Sequence, residues 1–375
     1  MKIIDIKSIE NLLNSAGIKA IAKDTIVNCT TTKYIFELKK LTSASAIQKA
    51  IASIKFCIHK NVTLSNDQNN DFFTLALLID NEERYFPRFM MYSYNLENAK
   101  PGSMLFGLDE NMKPLIFNIE DTKSLLVAGS SGGGKSVAMN CLIESLALHS
   151  KNNVDINLID LKRCEFSIYK DFKIVKNLCT DYDQAINLLN KINYEIDRRY
   201  SIMQAKNIRK ATIDDFNINI TFIDEYAALS AINQKVVDGL VSRIASIGRA
   251  ANVYLIIATQ IPTNKVISNV IRSNIQSRIG LKTTNAAQSI AILQTRNCCD
   301  LLGYGDAYLS IDGISGLIRC QVCNITEDDI LSHINPIQDN DEKTKKTKKR
   351  RRFLWFEIES KNKKLKMLMK KAINR

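Results

Sequence analysis

The fold is decided by residues 124–136, which read SLLVAGSSGGGKS. The apolar run 125–128 predicts a buried strand, and residues 137–142 beyond the glycines can form a helix. A strand, a loop of the form GxxxxGK[ST] and a helix start, in that order, predict a phosphate-binding P-loop. Glycines let successive backbone N–H groups turn towards a phosphate, and the helix N-terminus adds a partial positive charge. The sequence therefore predicts a site for a nucleoside triphosphate.

Two side chains of this motif have separate expected roles. Lys135 is expected to reach the β- and γ-phosphates, and the Ser136 hydroxyl is expected to hold Mg²⁺. The predicted nucleotide-binding residues are Gly129, Ser130, Ser131, Gly132, Gly133, Gly134, Lys135 and Ser136.

A second part of the site is predicted where the apolar strand 218–223 runs directly into Asp224 and Glu225. Asp224 would bind the water shell of Mg²⁺, and Glu225 would polarise the attacking water. Two adjacent acids favour hydrolysis over transfer to a small-molecule acceptor. The alternative is a solvated acidic pair without a catalytic role.

Polar residues also end two other predicted strands. Strand 253–258 is followed by Thr259 and Gln260, whose amide could sense the γ-phosphate or merely cap the strand. Residues 160–163 follow strand 155–159 at the carboxyl edge, where open α/β sheets bind ligands.

Alternating strand and helix patterns predict an α/β fold from about residue 106, with a mostly parallel sheet flanked by helices. Predicted buried strands are 124–128, 155–159, 218–223, 253–258 and 278–281, and the longest predicted helices are 183–203 and 229–247. Residues 1–105 predict a small α+β domain, 106–335 the nucleotide-binding domain, and 336–375 a basic, partly amphipathic tail.

Composition bounds the class of protein. The 375 residues are 45% hydrophobic and 24% charged, which is typical of a globular protein large enough for two domains. No apolar run approaches the ~18–20 residues that span a bilayer, and the N-terminus has no signal-peptide core, so we expect a cytoplasmic protein. Nine scattered cysteines are not a disulfide framework, and Cys298-Cys299 with Cys320-x-x-Cys323 is more typical of core thiols than of a zinc site.

Charge is concentrated at the C-terminus. Residues 343–375 carry 15 Lys and Arg against two Glu, which accounts for the whole formal charge of +13. Such a segment could contact nucleic-acid phosphates or an anionic membrane surface. A solubilising tail without a partner is the alternative.

Together the motifs resemble the motor of the FtsK/SpoIIIE DNA translocases, within the HerA–FtsK group of RecA-like P-loop ATPases. The matching stretches, in family order, are LLVAG…KSV (125–137), IDLK…EFS (159–167), EIDRRY (195–200), FIDEYAAL (222–229), RIASIGRAA (243–251), ATQIP (258–262) and LLGYGD (301–306). They cover about 115–325, and residues 1–105 resemble the family's smaller α domain less specifically.

The resemblance implies a homohexameric ring that threads double-stranded DNA and hydrolyses ATP with Mg²⁺ at subunit interfaces. By position, Lys135 and Ser136 take the phosphate and Mg²⁺ roles and Gln260 the sensor role. The metal role falls to Asp224 and the water-activating role to Glu225.

Three departures from the family pattern shape the expected function. We find no transmembrane segments before the motor and no winged-helix γ domain after it, which leads us to expect a mobile-element motor for conjugative transfer, segregation or packaging. Ile290 stands where chromosomal members carry an arginine, so Arg249, Arg272 and Arg278 are all candidates for the arginine that reaches a neighbouring subunit. The alternatives are a single-strand helicase or replication-associated ATPase, and a non-motor ATP-dependent DNA-binding scaffold.

Overall fold

A computed structural model describes residues 4–64, 74–80, 84–150 and 153–334. Contacts divide the chain into a compact unit, Met1–Glu327, and a second unit that begins at Asp328. The predicted tail 336–375 lies outside the described residues. The domain limits at 105 and 335 remain predictions.

The N-terminal part of the first unit contains a small antiparallel sheet with two helices. Its strands are β1 (Ala20–Val27), β2 (Thr31–Leu38), β3 (Val62–Leu64) and β4 (Thr74–Asp80), in the order β1-β2-β4-β3. Its helices are α1 (Ile6–Ser15) and α2 (Ala44–Ile58). The predicted α+β character of this region is confirmed, because both helices bury apolar residues in one core cluster with the sheet.

A ten-stranded sheet forms the rest of the unit. Its strands are β5 (Ser103–Asp109), β6 (Pro114–Asn118), β7 (Leu125–Ala128), β8 (Val154–Ile159), β9 (Val175–Cys179), β10 (Ile218–Ile223), β11 (Val253–Thr259), β12 (Ser277–Leu281), β13 (Asp306–Ser310) and β14 (Ile318–Gln321). The α-helices are α3 (Phe89–Tyr92), α4 (Ile119–Thr122), α5 (Lys135–His149), α6 (Tyr182–Ala205), α7 (Tyr226–Ile232), α8 (Gln234–Ile247), α9 (Asn269–Asn274) and α10 (Ala286–Leu293). Short 3₁₀ turns occupy Ser93–Leu96, Ser167–Tyr169, Gly248–Ala251 and Asn297–Asp300, and helix α11 spans Glu327–Ile334.

The strand order is β6-β5-β14-β13-β12-β7-β11-β10-β8-β9. Strands β12, β7, β11, β10, β8 and β9 are parallel, and the other four extend the sheet in antiparallel pairing. Every residue of β7 and β11 is buried, as expected for strands covered on both faces. The predicted α/β fold is therefore confirmed, and the carboxyl ends of β7, β10 and β11 lie at one edge of the sheet.

The prediction of one continuous helix over 229–247 is wrong, because the structure has two helices there. The sequence predicted a single helix over 229–247, but Asn233 leaves helical geometry, with φ −151° and ψ 86°, between α7 and α8. The Asn233 side chain accepts a hydrogen bond from the amide of Val236, so it serves as the N-cap of α8. Apolar spacing alone did not reveal the break because both helices bury residues with compatible periodicity.

Three of the four cysteines weighed as a zinc site lie in the core, and the fourth, Cys299, is partly buried. Cys298, Cys320 and Cys323 are all buried. The part of the chain that the structure describes contains no group of three His, Cys, Asp or Glu residues placed to hold a metal. Of the helices in that part, none combines the length and the apolar character needed to cross a bilayer.

A buried ion pair connects the two sheets. Arg319 of β14 is 3% exposed and donates to both carboxylate oxygens of Asp306, at 3.2 and 2.8 Å. The same guanidinium lies 3.4 Å from the carboxylate of Asp80, at the end of β4. Since Asp306 is fully buried, its charge depends on Arg319 for compensation.

We predict that Arg319→Met lowers the free energy of unfolding by about 3–5 kcal/mol, because it leaves a buried carboxylate unpaired. The matched control is Lys23→Met, which removes an ion pair with Glu37 whose side chains are 52% and 51% exposed. That change should cost at most about 1 kcal/mol. Urea unfolding curves of the two variants check the difference, and equal losses would contradict it.

Candidate nucleotide-binding site

The predicted P-loop lies between β7 and α5, at residues 129–134. Gly132 and Gly134 have φ of 77° and 102°, which L side chains rarely adopt. The amide of Gly133 donates to the Ser130 carbonyl at 3.0 Å and closes the loop. The first-turn amides of α5, including those of Lys135 and Ser136, have no acceptor within the helix and are suited to bind an anion.

A turn at Gly303–Gly305 supports the loop from outside. The amides of Tyr304 and Gly305 donate to the carbonyls of Gly132 and Gly133, at 3.1 and 2.7 Å. A Cβ placed on Gly134 would lie 2.5 Å from the backbone nitrogen of Gly305. Gly134 is therefore required both by its φ and by the close approach of this turn.

Lys135 meets the first of the two predicted acids. Its side chain is buried, and Nζ donates to the Asp224 carbonyl at 2.9 Å and forms an ion pair with the Asp224 carboxylate. Asp224 Oδ2 is buried, and it has no hydrogen-bond partner in the described part of the chain. Burial raises the pKa of the Asp224 carboxyl, and the Lys135 ammonium partly offsets that effect. Two residues 89 positions apart thus meet at one edge of the sheet.

Ser136 contacts an acid to which the sequence assigned no role. Its hydroxyl donates to Glu165 Oε1 at 2.7 Å. Glu165 is positioned by Asp160, at the end of β8, whose carboxylate accepts the amides of Arg163, Glu165 and Phe166 at 2.9, 2.9 and 3.0 Å. The signal available in the sequence was that Glu165 lies only five residues beyond Asp160, which follows a predicted strand at the carboxyl edge of the sheet.

Glu225 is buried and held by groups from two neighbouring strand ends. Its carboxylate accepts hydrogen bonds from Thr259 Oγ1 at 2.7 Å, the Gln260 amide at 3.1 Å and Lys162 Nζ at 3.2 Å. The sequence placed Thr259 and Lys162 at this edge but did not pair them with Glu225. Gln260 makes this contact through its backbone, and a sensor role for its side chain remains a prediction.

The three candidate arginines differ in environment. Arg278 is buried and donates to the carbonyls of Arg272, Ile275 and Ile292, so its guanidinium is bound within its own chain. Arg272 is partly buried and donates to two asparagine side chains, whereas Arg249 is exposed. The choice among them as an interface arginine remains open.

Two alanine substitutions distinguish a steric clash at the loop glycines from backbone strain alone. We predict that Gly134→Ala abolishes nucleotide binding, because the new methyl group meets the Gly305 backbone. The matched control is Gly132→Ala, where φ is also positive but nothing lies within 4 Å of the new Cβ. That variant should retain measurable affinity, since strained backbone alone costs roughly 1–3 kcal/mol. Titration with a fluorescent ATP analogue checks this, and tighter binding by Gly134→Ala would contradict it.

Comparisons with known proteins agree with this geometry. Residues 91–221 match the model of the FtsK/SpoIIIE family. The chain is 33% identical over 256 residues to DNA translocase FtsK of Helicobacter pylori strain J99, which covers 64% of this chain and 30% of the relative. It is 27% identical over 371 residues to DNA translocase FtsK of Pasteurella multocida, and this match covers 86% of this chain and 39% of the relative. The matched region is thus between about a third and two fifths of these relatives.

The fold is also found in solved structures. TcpA, the pCW3 conjugation coupling protein in its monomer form with ATPγS, superposes with a TM-score of 0.62 at 18% identity, covering 89% of this chain and 99% of that one. The cytoplasmic domain of EccC, a type VII secretion ATPase of Thermomonospora curvata, superposes with a TM-score of 0.54 at 20% identity. The superposition covers 62% of this chain and 31% of that one. Through the match to the family model and the likeness to the FtsK relatives, residues 91–221 belong to the FtsK/SpoIIIE family.

Proposed function

We propose that this protein is an ATP-hydrolysing motor that translocates double-stranded DNA. The observation that carries the proposal is the contact of Lys135 with Asp224, the residue next to Glu225, at one edge of the sheet in a chain whose residues 91–221 match the FtsK/SpoIIIE family. A loop for the phosphates and a buried acid to activate water are the two parts that hydrolysis requires. Translocation of DNA is supported by the FtsK relatives, which are DNA translocases, and duplex DNA as the substrate is a prediction from the resemblance to this family.

ATP and Mg²⁺ are the proposed cofactors, and the residues present fit a divalent cation. Asp224 Oδ2 is a buried acceptor without a protein partner among the described residues, and the Ser136 hydroxyl is the second proposed ligand. Mg²⁺ keeps several waters and phosphate oxygens as ligands, so two protein oxygens suffice. When bound, the cation would neutralise charge on the β- and γ-phosphates.

The side chains around the loop have defined tasks in this proposal. Lys135 would exchange its contact with Asp224 for phosphate oxygens, and Ser136 would leave Glu165. Glu225 would orient and polarise the attacking water, while Thr259 and the Gln260 amide hold its carboxylate in place. Thr259 is the last residue of β11 and Gln260 follows it, so Glu225 is hydrogen-bonded to the end of the neighbouring strand.

Assembly into a homo-oligomeric ring, with hexamer as the expected number, is part of the proposal and rests on the family. A mobile-element role in conjugative transfer, segregation or packaging remains a prediction from the sequence, as does a cytoplasmic location. The alternative functions are a single-strand-acting ATPase and a non-motor scaffold, and the experiment below distinguishes them.

We predict that duplex DNA stimulates ATP turnover by the full chain, and that Glu225→Gln lowers the rate at least about 100-fold while nucleotide binding persists. Lys135→Ala should lose nucleotide affinity as well, because it removes the phosphate-binding ammonium. Matched controls are Glu37→Gln and Lys23→Ala, in the exposed pair of the small sheet, which should leave the rate unchanged.

The DNA added to the assay decides among the proposed functions. Stronger stimulation by single strands than by duplex would favour the helicase alternative. Binding of ATP without steady turnover would favour the scaffold, and turnover indifferent to DNA would contradict the motor.

The basic segment 343–375 is proposed to contact DNA phosphates, with an anionic membrane surface as the other candidate. Deleting it should weaken DNA binding and flatten the dependence of affinity on salt, because fewer counterions are released. The control is a chain in which Lys and Arg of 343–352 are replaced by Gln, which should reproduce most of the effect. Unchanged DNA affinity with lost binding to phosphatidylserine vesicles would assign the segment to membranes.

A further inference from the structure

Arg84 joins the segment after the small sheet to the turn that supports the P-loop. Its Nη2 donates to the Gly303 carbonyl at 2.9 Å and to Gln321 Oε1 at 2.7 Å. Gln321 is 2% exposed, and its Nε2 donates to the Tyr304 carbonyl at 2.9 Å. One guanidinium and one amide therefore fix two successive carbonyls of the same turn.

This turn has a backbone that needs such support. Gly303, Tyr304 and Gly305 have φ of 81°, 49° and 85°, three successive positive values. A residue held in the left-handed region costs of order 1–3 kcal/mol when it is not glycine, and it persists only where its surroundings impose it. The Asp306 carboxylate accepts the Leu302 amide at 2.9 Å and fixes the entry to the turn.

The Gly303–Gly305 turn also sets the orientation of the P-loop peptide between Gly133 and Gly134. The Gly305 amide holds the Gly133 carbonyl on the outer side of the loop, at 2.7 Å. In a trans peptide the carbonyl and the following N–H point in opposite directions. Holding the Gly133 carbonyl outward therefore directs the Gly134 N–H to the opposite side, away from the turn and towards the interior of the loop.

We propose that Arg84 is a positioning residue that sets nucleotide affinity by holding the Gly303–Gly305 turn against the P-loop. The guanidinium does not touch the loop itself and acts through the turn. Arg84 stands four residues after β4, so the proposal makes the stretch between the two sheets a determinant of how tightly the triphosphate is held. It rests on the proposed use of residues 129–136 to bind ATP.

The test measures affinity for a fluorescent ATPγS analogue in the full-length protein, with Arg84→Ala and Gln321→Ala alone and combined. Each single variant should bind about tenfold more weakly, because Arg84→Ala removes a charged hydrogen bond to the turn and Gln321→Ala removes both a hydrogen bond to the turn and the acceptor of Arg84. The double variant should lose less than the product of the single effects, because both residues hold the same turn. The matched control is Arg209→Ala, at an exposed arginine between α6 and β10, which should stay within about twofold.

A second measurement separates positioning from a merely structural role. Hydrogen exchange of nucleotide-free protein should speed up at the amides of 302–306 in Arg84→Ala, while the amides of the central strand β11 keep their protection. Arg84→Lys should lose less affinity than Arg84→Ala, because an ammonium can still donate to the Gly303 carbonyl. If Arg84→Ala does not fold, Arg84→Lys and Gln321→Ala carry the affinity test.

The outcomes are distinct. Wild-type affinity in folded Arg84 and Gln321 variants overturns the inference and leaves the proposed function intact. Absence of nucleotide binding by the wild-type protein overturns the proposed function instead. Weakened binding with unchanged exchange at 302–306 also overturns the inference, because the effect would then not pass through the turn.

Discussion

The contact between Lys135 and Asp224 is the interaction on which the site depends. It joins a residue at the start of α5 to one that follows the end of β10. Both side chains are almost fully buried, so each charge relies on the other. The pair forms because β7 and β10 lie on either side of β11 in a parallel sheet, which brings their carboxyl ends to one edge.

Around this contact, each of the three acids Glu165, Asp224 and Glu225 has a different set of hydrogen-bond donors. Glu165 takes the Ser136 hydroxyl, and Glu225 takes Thr259 and the Gln260 amide. Asp224 has a buried oxygen, Oδ2, that accepts no hydrogen bond within the part of the chain that the structure describes. Each acid therefore has its own place, although the three follow only two strands. This separation is what lets one edge of the sheet serve as a phosphate cradle and as a place for water activation in the proposed function.

The order of the main elements could be predicted from the sequence because local patterns determine it. The buried strands at 125–128 and 218–223 are short apolar runs that end in polar residues, and the glycines between strand and helix have a specific backbone task. The parallel topology predicted that Lys135 and Asp224 lie at the same edge of the sheet, but not that they form an ion pair. Contacts set by loop geometry could not be predicted, such as Glu165 with Ser136 or Arg84 with the turn, because the loops that position these side chains carry no periodic sequence pattern. The break at Asn233 was missed for a related reason, since capping there competes with an apolar period that continues across it.

That break divides the region after the acids into two helices of very different length. The seven-residue helix α7 follows Glu225 immediately, and α8 runs for fourteen residues beyond Asn233. The Tyr226 hydroxyl donates a hydrogen bond to Asp238 Oδ1 at 2.5 Å, which links the first helix to the second through side chains. The short helix buries Tyr226 and Leu229 in the core. Its first residue, directly after Glu225, is therefore tied to the longer helix by a side-chain contact as well as through the capping residue Asn233.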